Sequence, residues 1–481
     1  MPTDIADFDA VRLAAAIHAR EVSCAETMQA CLARIEALNP AVNAVVALQD
    51  PDDLMRQARD ADAELAAGRS RGPLHGFPHA VKDLLAVKGI RTTQGSPIFR
   101  DFVPDADSLA VERLRAAGVI FVGKTNTPEF GLGSHTFNPV YGVTRNAWDV
   151  TKSAGGSSGG AAVALALRML PLADGSDYGG SLRNPAGWNH VMGFRTSYGR
   201  VPTRVREDWL PSMGVAGPMA RTVADVALML SVQAGPDPRV PLAMESPGAP
   251  LRDVRPIDPR GKRIAWAGDF GGFAPCDPEV LAVCEGALKT FEALGCVVEP
   301  AFPDYPLEAA WEAFRLLRAW QSGSNLVDHY RDPARRALMK PEAVFEVETG
   351  LALSAFDVAR WSAVRSEWSQ AVRRFFETYD YLVAPTALVF PFDAGQAWPR
   401  EIAGRPMATY HAWMTGVCLV SLSGCPSLAV PAGFSAAGLP MGLQIVAPVH
   451  AEMACLGLGA AYEAASPWIA AARPPLLRAA D

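Results

Sequence analysis

Ser153-Ala154-Gly155-Gly156-Ser157-Ser158-Gly159-Gly160 is followed, after an apolar run over 161–172, by Asp174-Gly175-Ser176-Asp177-Tyr178-Gly179-Gly180-Ser181-Leu182-Arg183. Glycine tolerates positive φ and lets a ligand approach the main chain closely. Two glycine-serine turns around one helix-length segment can therefore bring two hydroxyls together. Successive amides from Tyr178 to Ser181 can then turn inward as donors, which is how an oxyanion hole is built. The ordinary alternative is a pair of turns or flexible linkers. The segment between them carries one charge, Arg168, a pattern that suits a buried helix.

The 481 residues leave room for two or three average domains or one large α/β domain with insertions. Lys plus Arg at 44 against Asp plus Glu at 51 gives −7, a balance unsuited to non-specific nucleic-acid binding. A small-molecule partner is expected instead. Eight scattered cysteines without a Cys-x-x-Cys spacing point to a reducing compartment. His75 and His79 are separated by Gly76 and Pro78, so no helix aligns them, and no metal site is expected. The acidic start, residues 1–7, lacks a basic and then apolar leader. Apolar runs fall short of the ~20 residues that span a bilayer. The expectation is a cytoplasmic protein with no membrane or nucleic-acid partner.

Residues 4–38 read as two amphipathic helices parted near Glu21-Val22-Ser23, with Ser23 and Glu26 spaced as a capping box. A third helix over 51–67 completes an N-terminal helical cover, 1–68. From Gly72 strands alternate with helices: strand 79–85, helix 108–117, strand 119–122, and later strand 262–270, helix 278–294, strand 296–300. Residues 306–378 read as mostly helical, with Trp311, Trp320, Trp361 and Trp368 read as core more readily than as substrate pocket. Strands return at 379–385, 426–431 and 440–448. The alternation argues for an α/β sheet with helices on both faces.

Several short motifs compete for the chemistry. Gly118 to Thr125 has the Walker A spacing, but its middle residues read as the strand itself, whereas a phosphate loop follows a strand. Gly155-Gly156-Ser157-Ser158-Gly159 has the nucleophile-elbow spacing, yet residues 148–152 make a poor preceding strand, and none of His329, His411 and His450 sits in a distinctive setting. Cys425 reads as a structural thiol without a basic neighbour. A serine-lysine arrangement remains. A serine hydroxyl needs a base, and a lysine kept neutral by burial can be one. Alternation places Lys82 on one strand face with Ala80 and Leu84. Lowering its pKa from about 10.4 towards 7 takes about 4 to 5 kcal/mol, within what burial supplies. The competing reading pairs Lys82 with Asp83 or another carboxylate, and the residues alone leave both open.

Ala80-Val81-Lys82-Asp83, Gly123-Lys124-Thr125-Asn126-Thr127-Pro128-Glu129-Phe130, Thr144-Arg145-Asn146-Ala147-Trp148-Asp149, Gly155 to Gly160 and Gly175 to Ala186 together resemble the amidase signature family. The likeness continues through residues 198–202, 217–221 and 430–433, so it runs in order along most of the chain. It implies a single domain over 1–481: a mixed, largely central β-sheet covered by helices on both faces, a catalytic core at 72–235, and the helical stretch 306–378 as a wall of the substrate site.

The resemblance also implies a Ser-cisSer-Lys triad: Ser181 the nucleophile, Ser157 the bridging serine after a cis peptide, and Lys82 the neutral base. It implies an oxyanion hole from the amides of Tyr178, Gly179, Gly180 and Ser181. Ser158, Asp177 and Arg183 would support the loop, and Gly131 falls where the family lines its substrate site. No metal or organic cofactor is implied; the partner is a small-molecule amide, with a homodimer left open. Tyr178, Trp188-Asn189-His190 and Arg195-Thr196-Ser197 depart from the family pattern and put the acyl pocket in question. The expected reaction is hydrolysis of a small-molecule carboxylic amide to acid plus ammonia or amine. The alternatives are the glutaminase subunit of a tRNA-dependent amidotransferase, against which Asn184 stands in place of an expected glutamine, and a silent binding protein on the same fold.

Overall fold

The computed structural model describes residues 4–204 and 206–478; residues 1–3, the beginning of the start read above, lie outside it with 205 and 479–481. Helices α1 (Ala10–Ala19), α2 (Cys24–Val42) and α3 (Pro51–Ala66) open the chain. The capping box forms as read: Ser23 Oγ accepts from the Glu26 amide at 3.0 Å, and Glu26 accepts from the Ser23 amide at 2.8 Å.

A small sheet follows in the order β1 (Val45–Val46), β3 (Ile120–Thr125), β2 (Pro78–Lys82). All five residues of β2 and all six of β3 are buried, the polar His79, Lys82, Lys124 and Thr125 among them. The expected strand over 79–85 stops at Lys82; Leu84 and Leu85 turn back, their amides donating to the Lys82 carbonyl. Lys124 lies within β3, its Nζ donating to the Leu85 carbonyl and to Thr92 Oγ1, so the Walker-like spacing is strand.

The large mixed sheet has eight strands: β4 (Ala173–Asp177), β5 (Met192–Arg195), β6 (Val215–Ala220), β7 (Arg263–Trp266), β8 (Val297–Pro300), β9 (Tyr381–Pro385), β10 (Ser427–Phe434) and β11 (Pro440–Val446). Their spatial order is β8-β7-β9-β11-β10-β5-β6-β4, and helices flank the sheet. Strand β7 is shorter than its expected 262–270, because the chain bends after Trp266 and returns the Phe270 amide to the Ala267 carbonyl.

The edge strands β2 and β4 face each other across the gap between the sheets. No ladder joins them. Instead Asp174 Oδ1 on β4 accepts from the Lys82 amide (3.2 Å) and lies 3.0 Å from His79 Nε2. Helix α4 (Leu109–Ala116) precedes β3. Helix α5 (Gly159–Ala166) has all eight residues buried, as the apolar run demands. Between Leu307 and Phe375 the chain is helical, in α6 (Leu307–Arg331), α7 (Pro333–Arg336), α8 (Pro341–Leu351) and α9 (Ala355–Phe375). No helix among the described residues is long and apolar enough to cross a membrane.

Candidate active site

The seam between the sheets opens into a cavity of ≈ 530 Å³ lined by Lys82, Gly131, Ser157, Ser176, Asp177, Tyr178 and Ser181, among others. Lys82 Nζ lies 2.8 Å from Ser157 Oγ, 2.8 Å from Ser158 Oγ and 3.0 Å from Ser176 Oγ. It forms no ion pair among the described residues; Asp83 instead accepts from Thr93 and lies 3.9 Å from Lys124. Burial pushes the Lys82 ammonium down to about 7, against the upward pull of Asp174 and Asp177. The residues alone had left a neutral lysine and a carboxylate-paired one equally open, and the geometry favours the neutral one.

The peptide bond between Gly156 and Ser157 is cis. Ser134 Oγ donates to the Gly156 carbonyl at 2.6 Å. No strand precedes Ser157, only isolated bridges at Lys152 and Ser153 and a bend at Gly156, and its basic neighbour is Lys82, not a histidine, so the nucleophile-elbow reading has no structural footing.

Beyond β4 the chain turns through Tyr178-Gly179-Gly180-Ser181. Asp177 organises that turn, because Oδ1 accepts from the Gly180 amide (2.9 Å) and Oδ2 from the Leu182 amide (3.0 Å). Of the four amides expected to form the hole, that of Gly180 thus donates to Asp177 in this structure. The amides of Tyr178, Gly179 and Ser181 make no such bond to the described residues. Gly180 sits at φ +98°, and a Cβ there would lie 2.5 Å from Val417 Cγ2, so both conformation and space require glycine.

Arg183 holds Asp177 through Nε (3.1 Å) and Nη2 (3.0 Å), and Arg195 donates to the Asp177 carbonyl (2.7 Å). Burial raises the Asp177 carboxyl, but the two guanidiniums outweigh it and hold the group well below the usual carboxylate range. Ser158 reaches the same region: its amide donates to the Ser181 carbonyl at 3.3 Å. Gly131 is at φ +70°, with its Cβ position 3.6 Å from Ser157 Oγ.

Of the departures, only Tyr178 lines the cavity. Its ring lies 4.9 Å from the Arg318 guanidinium, and its hydroxyl donates to Gln321. Trp188 is buried, donates to the Val389 carbonyl and stacks on Trp413. Arg195 adds to the clasp on Asp177. Leu84, Phe99, Phe130, Tyr198, Leu210 and Trp320 line the rest of the cavity beside the charged and polar Arg204, Glu207, Arg318, Gln321, Asn325 and His329. Trp368, by contrast, lies in the core, as read.

Ser176 and Asp174 were missed. Alternation along β4 hints that Ser176 and Asp174 share a face, but nothing local says that this face meets β2. The cysteines are all free and buried, and burial pushes the Cys425 thiol up to about 11. No cluster of metal-ligating side chains occurs among the described residues.

The amidase family model matches residues 26–456. The chain is 36% identical to an acylamidase of Rhodococcus erythropolis over 95% of each chain. It is 38% identical to a glutamyl-tRNA(Gln) amidotransferase subunit of Acidothermus cellulolyticus, over 96% of this chain and 95% of that one. Among solved structures, a bacterial aryl acylamidase of the amidase signature family superposes with a TM-score of 0.89 at 28% identity, covering 97% of this chain and 99% of that one. The chain belongs to the amidase signature family, whose enzymes hydrolyse carbon-nitrogen bonds.

Proposed function

We propose that this protein is a stand-alone acylamidase that cleaves small-molecule carboxylic amides through an acyl-enzyme on Ser181. One observation carries the reading: Lys82 Nζ, deep in the cavity, is surrounded by three serine hydroxyls and no carboxylate. A neutral amine has two N–H groups and one lone pair. Ser158 Oγ is free to accept, since its own hydroxyl donates to the Ser176 carbonyl (3.4 Å). Nζ then donates to Ser158 and Ser176, and its lone pair receives the Ser157 proton.

Ser157, relieved of its proton, takes one from Ser181, whose oxygen attacks the amide carbonyl. The amides of Tyr178, Gly179 and Ser181 stabilise the oxyanion. The C–N bond breaks as the relay returns a proton to the departing amine, leaving an ester on Ser181. Water then attacks that ester by the same relay, releasing the carboxylic acid. Arg183 and Arg195 fix Asp177, and Asp177 fixes the turn, so the donors are aimed before substrate arrives. No metal enters the scheme.

The aromatic side chains Phe99, Phe130, Tyr178, Tyr198 and Trp320 in the cavity support an aryl amide as substrate. The likeness to the acylamidases supports the same choice. The likeness to amidotransferase subunits keeps one rival in view, a glutaminase that works only beside partner subunits. The test is turnover by the purified chain alone on a panel of acyl anilides, aliphatic amides and glutamine. Release of aniline and acid without a partner is expected. Activity confined to glutamine in the presence of partner subunits would contradict the proposal.

A further inference from the structure

A second cavity, of ≈ 520 Å³, shares no lining residue with the first. Its walls are flat: Phe137, Phe345, Trp398 and Tyr410 line it together with Lys340 and Arg400. Lys340 is committed, donating to the Leu132 carbonyl at 2.9 Å and lying 3.6 Å from Glu342. Arg400 is not. Its guanidinium rests 3.6 Å above the Trp398 ring, and its side chain makes no hydrogen bond or ion pair to a described residue. The remaining acid, Glu129, is 1% exposed and accepts from Ser96 Oγ at 2.8 Å; burial pushes it up to about 7, so it is a weak fixed anion. The cavity thus offers aromatic walls and one uncommitted fork suited to a carboxylate.

Its wall is shared with the catalytic cavity in three places. The Tyr410 hydroxyl receives Arg318 Nη2 (3.1 Å) and bonds to Glu346, and Arg318 lines the catalytic cavity over Tyr178. In the turn that follows β3, Glu129 faces the second cavity, whereas Phe130, Gly131 and Leu132 face the first. Lys340 ties the second cavity to the Leu132 carbonyl.

We propose that this second cavity binds a small aromatic carboxylate and that its occupancy changes the rate at Ser181 through Tyr410–Arg318 and residues 129–132. The rate effect rests on the function proposed above; the binding does not. An aromatic acid is also the class of product that an aryl amide hydrolase releases, so the site would respond to the reaction's own output.

The probe is 2-naphthoate, titrated calorimetrically into protein whose Ser181 has first been blocked with a fluorophosphonate. Saturable one-to-one binding is expected to persist. It should weaken about tenfold in Arg400→Ala, and about tenfold when naphthalene-2-carboxamide replaces the acid, the loss of one charge-assisted contact. Binding that vanishes on blocking Ser181, or that is unchanged in Arg400→Ala, overturns the site. In unblocked protein, saturating 2-naphthoate should change the labelling rate of Ser181 at least about twofold. Tyr410→Phe should keep the binding and lose that change; a change that survives in Arg400→Ala and Tyr410→Phe overturns the coupling. If Ser181 does not label at all, the functional reading fails, and the same titration on untreated protein and Arg400→Ala still decides the binding.

Discussion

In the proposed mechanism Lys82 serves as a base because burial keeps water from it. With the ammonium pushed down to about 7, the protonated form dominates below that pH and blocks the relay, and the neutral form dominates above it. The expected kcat/KM therefore rises with pH and levels off above about 7, measured on any amide the enzyme turns over. Lys82→Arg, charged at every accessible pH, should lose at least about 10³-fold without recovering at high pH, a loss at the scale of general-base catalysis. Ser176→Ala removes an acceptor that favours the cation more than the neutral amine, so the acid limb should move to lower pH. Ser176 was hidden from the sequence because its role depends on a contact with a strand 94 positions away. The proposed roles of Lys82, Ser157 and Ser181 came from the family resemblance, since the residues alone left Lys82 open between a neutral base and a carboxylate's partner.

At the scale of elements, the turn after β4 depends on a buried carboxylate serving two amides and two guanidiniums at once. Asp177→Asn keeps the shape and removes the charge, leaving Arg183 and Arg195 buried without their counter-ion. Loss of one partner from a buried pair costs about 3 to 5 kcal/mol. Thermal denaturation should show a marked fall in Tm, with activity lost even in the fraction that remains folded. Most elements were legible because buried helices and strands advertise themselves by apolar runs and caps. Their ends were not. Strand β2 stops at Lys82 because Leu84 and Leu85 turn back on the Lys82 carbonyl, and residues 262–270 shrink to Arg263–Trp266 because the chain bends after Trp266 and returns the Phe270 amide to the Ala267 carbonyl.

At the scale of the whole molecule, the site exists because two sheets present edge strands to each other and a long helix closes the gap. Trp320 and Gln321 on α6 line the cavity, whereas Trp368 on α9 is core. Trp320→Ala should raise KM for aryl amides about tenfold or more, the order of a lost buried aromatic contact, while leaving the fluorophosphonate labelling rate of Ser181 within about twofold. The family likeness announced the overall fold in the sequence; which aromatic faces substrate was not legible, since helical spacing cannot tell a cavity from a core. The proposed chemistry stands on Ser181 as nucleophile and Lys82 as its base. The direct measurement is to treat the purified protein with a serine-reactive fluorophosphonate and map the modified residue by mass spectrometry. Labelling at Ser181 that disappears in Lys82→Ala is the predicted result. Labelling at Ser157, or at Ser181 with undiminished rate in Lys82→Ala, would contradict it.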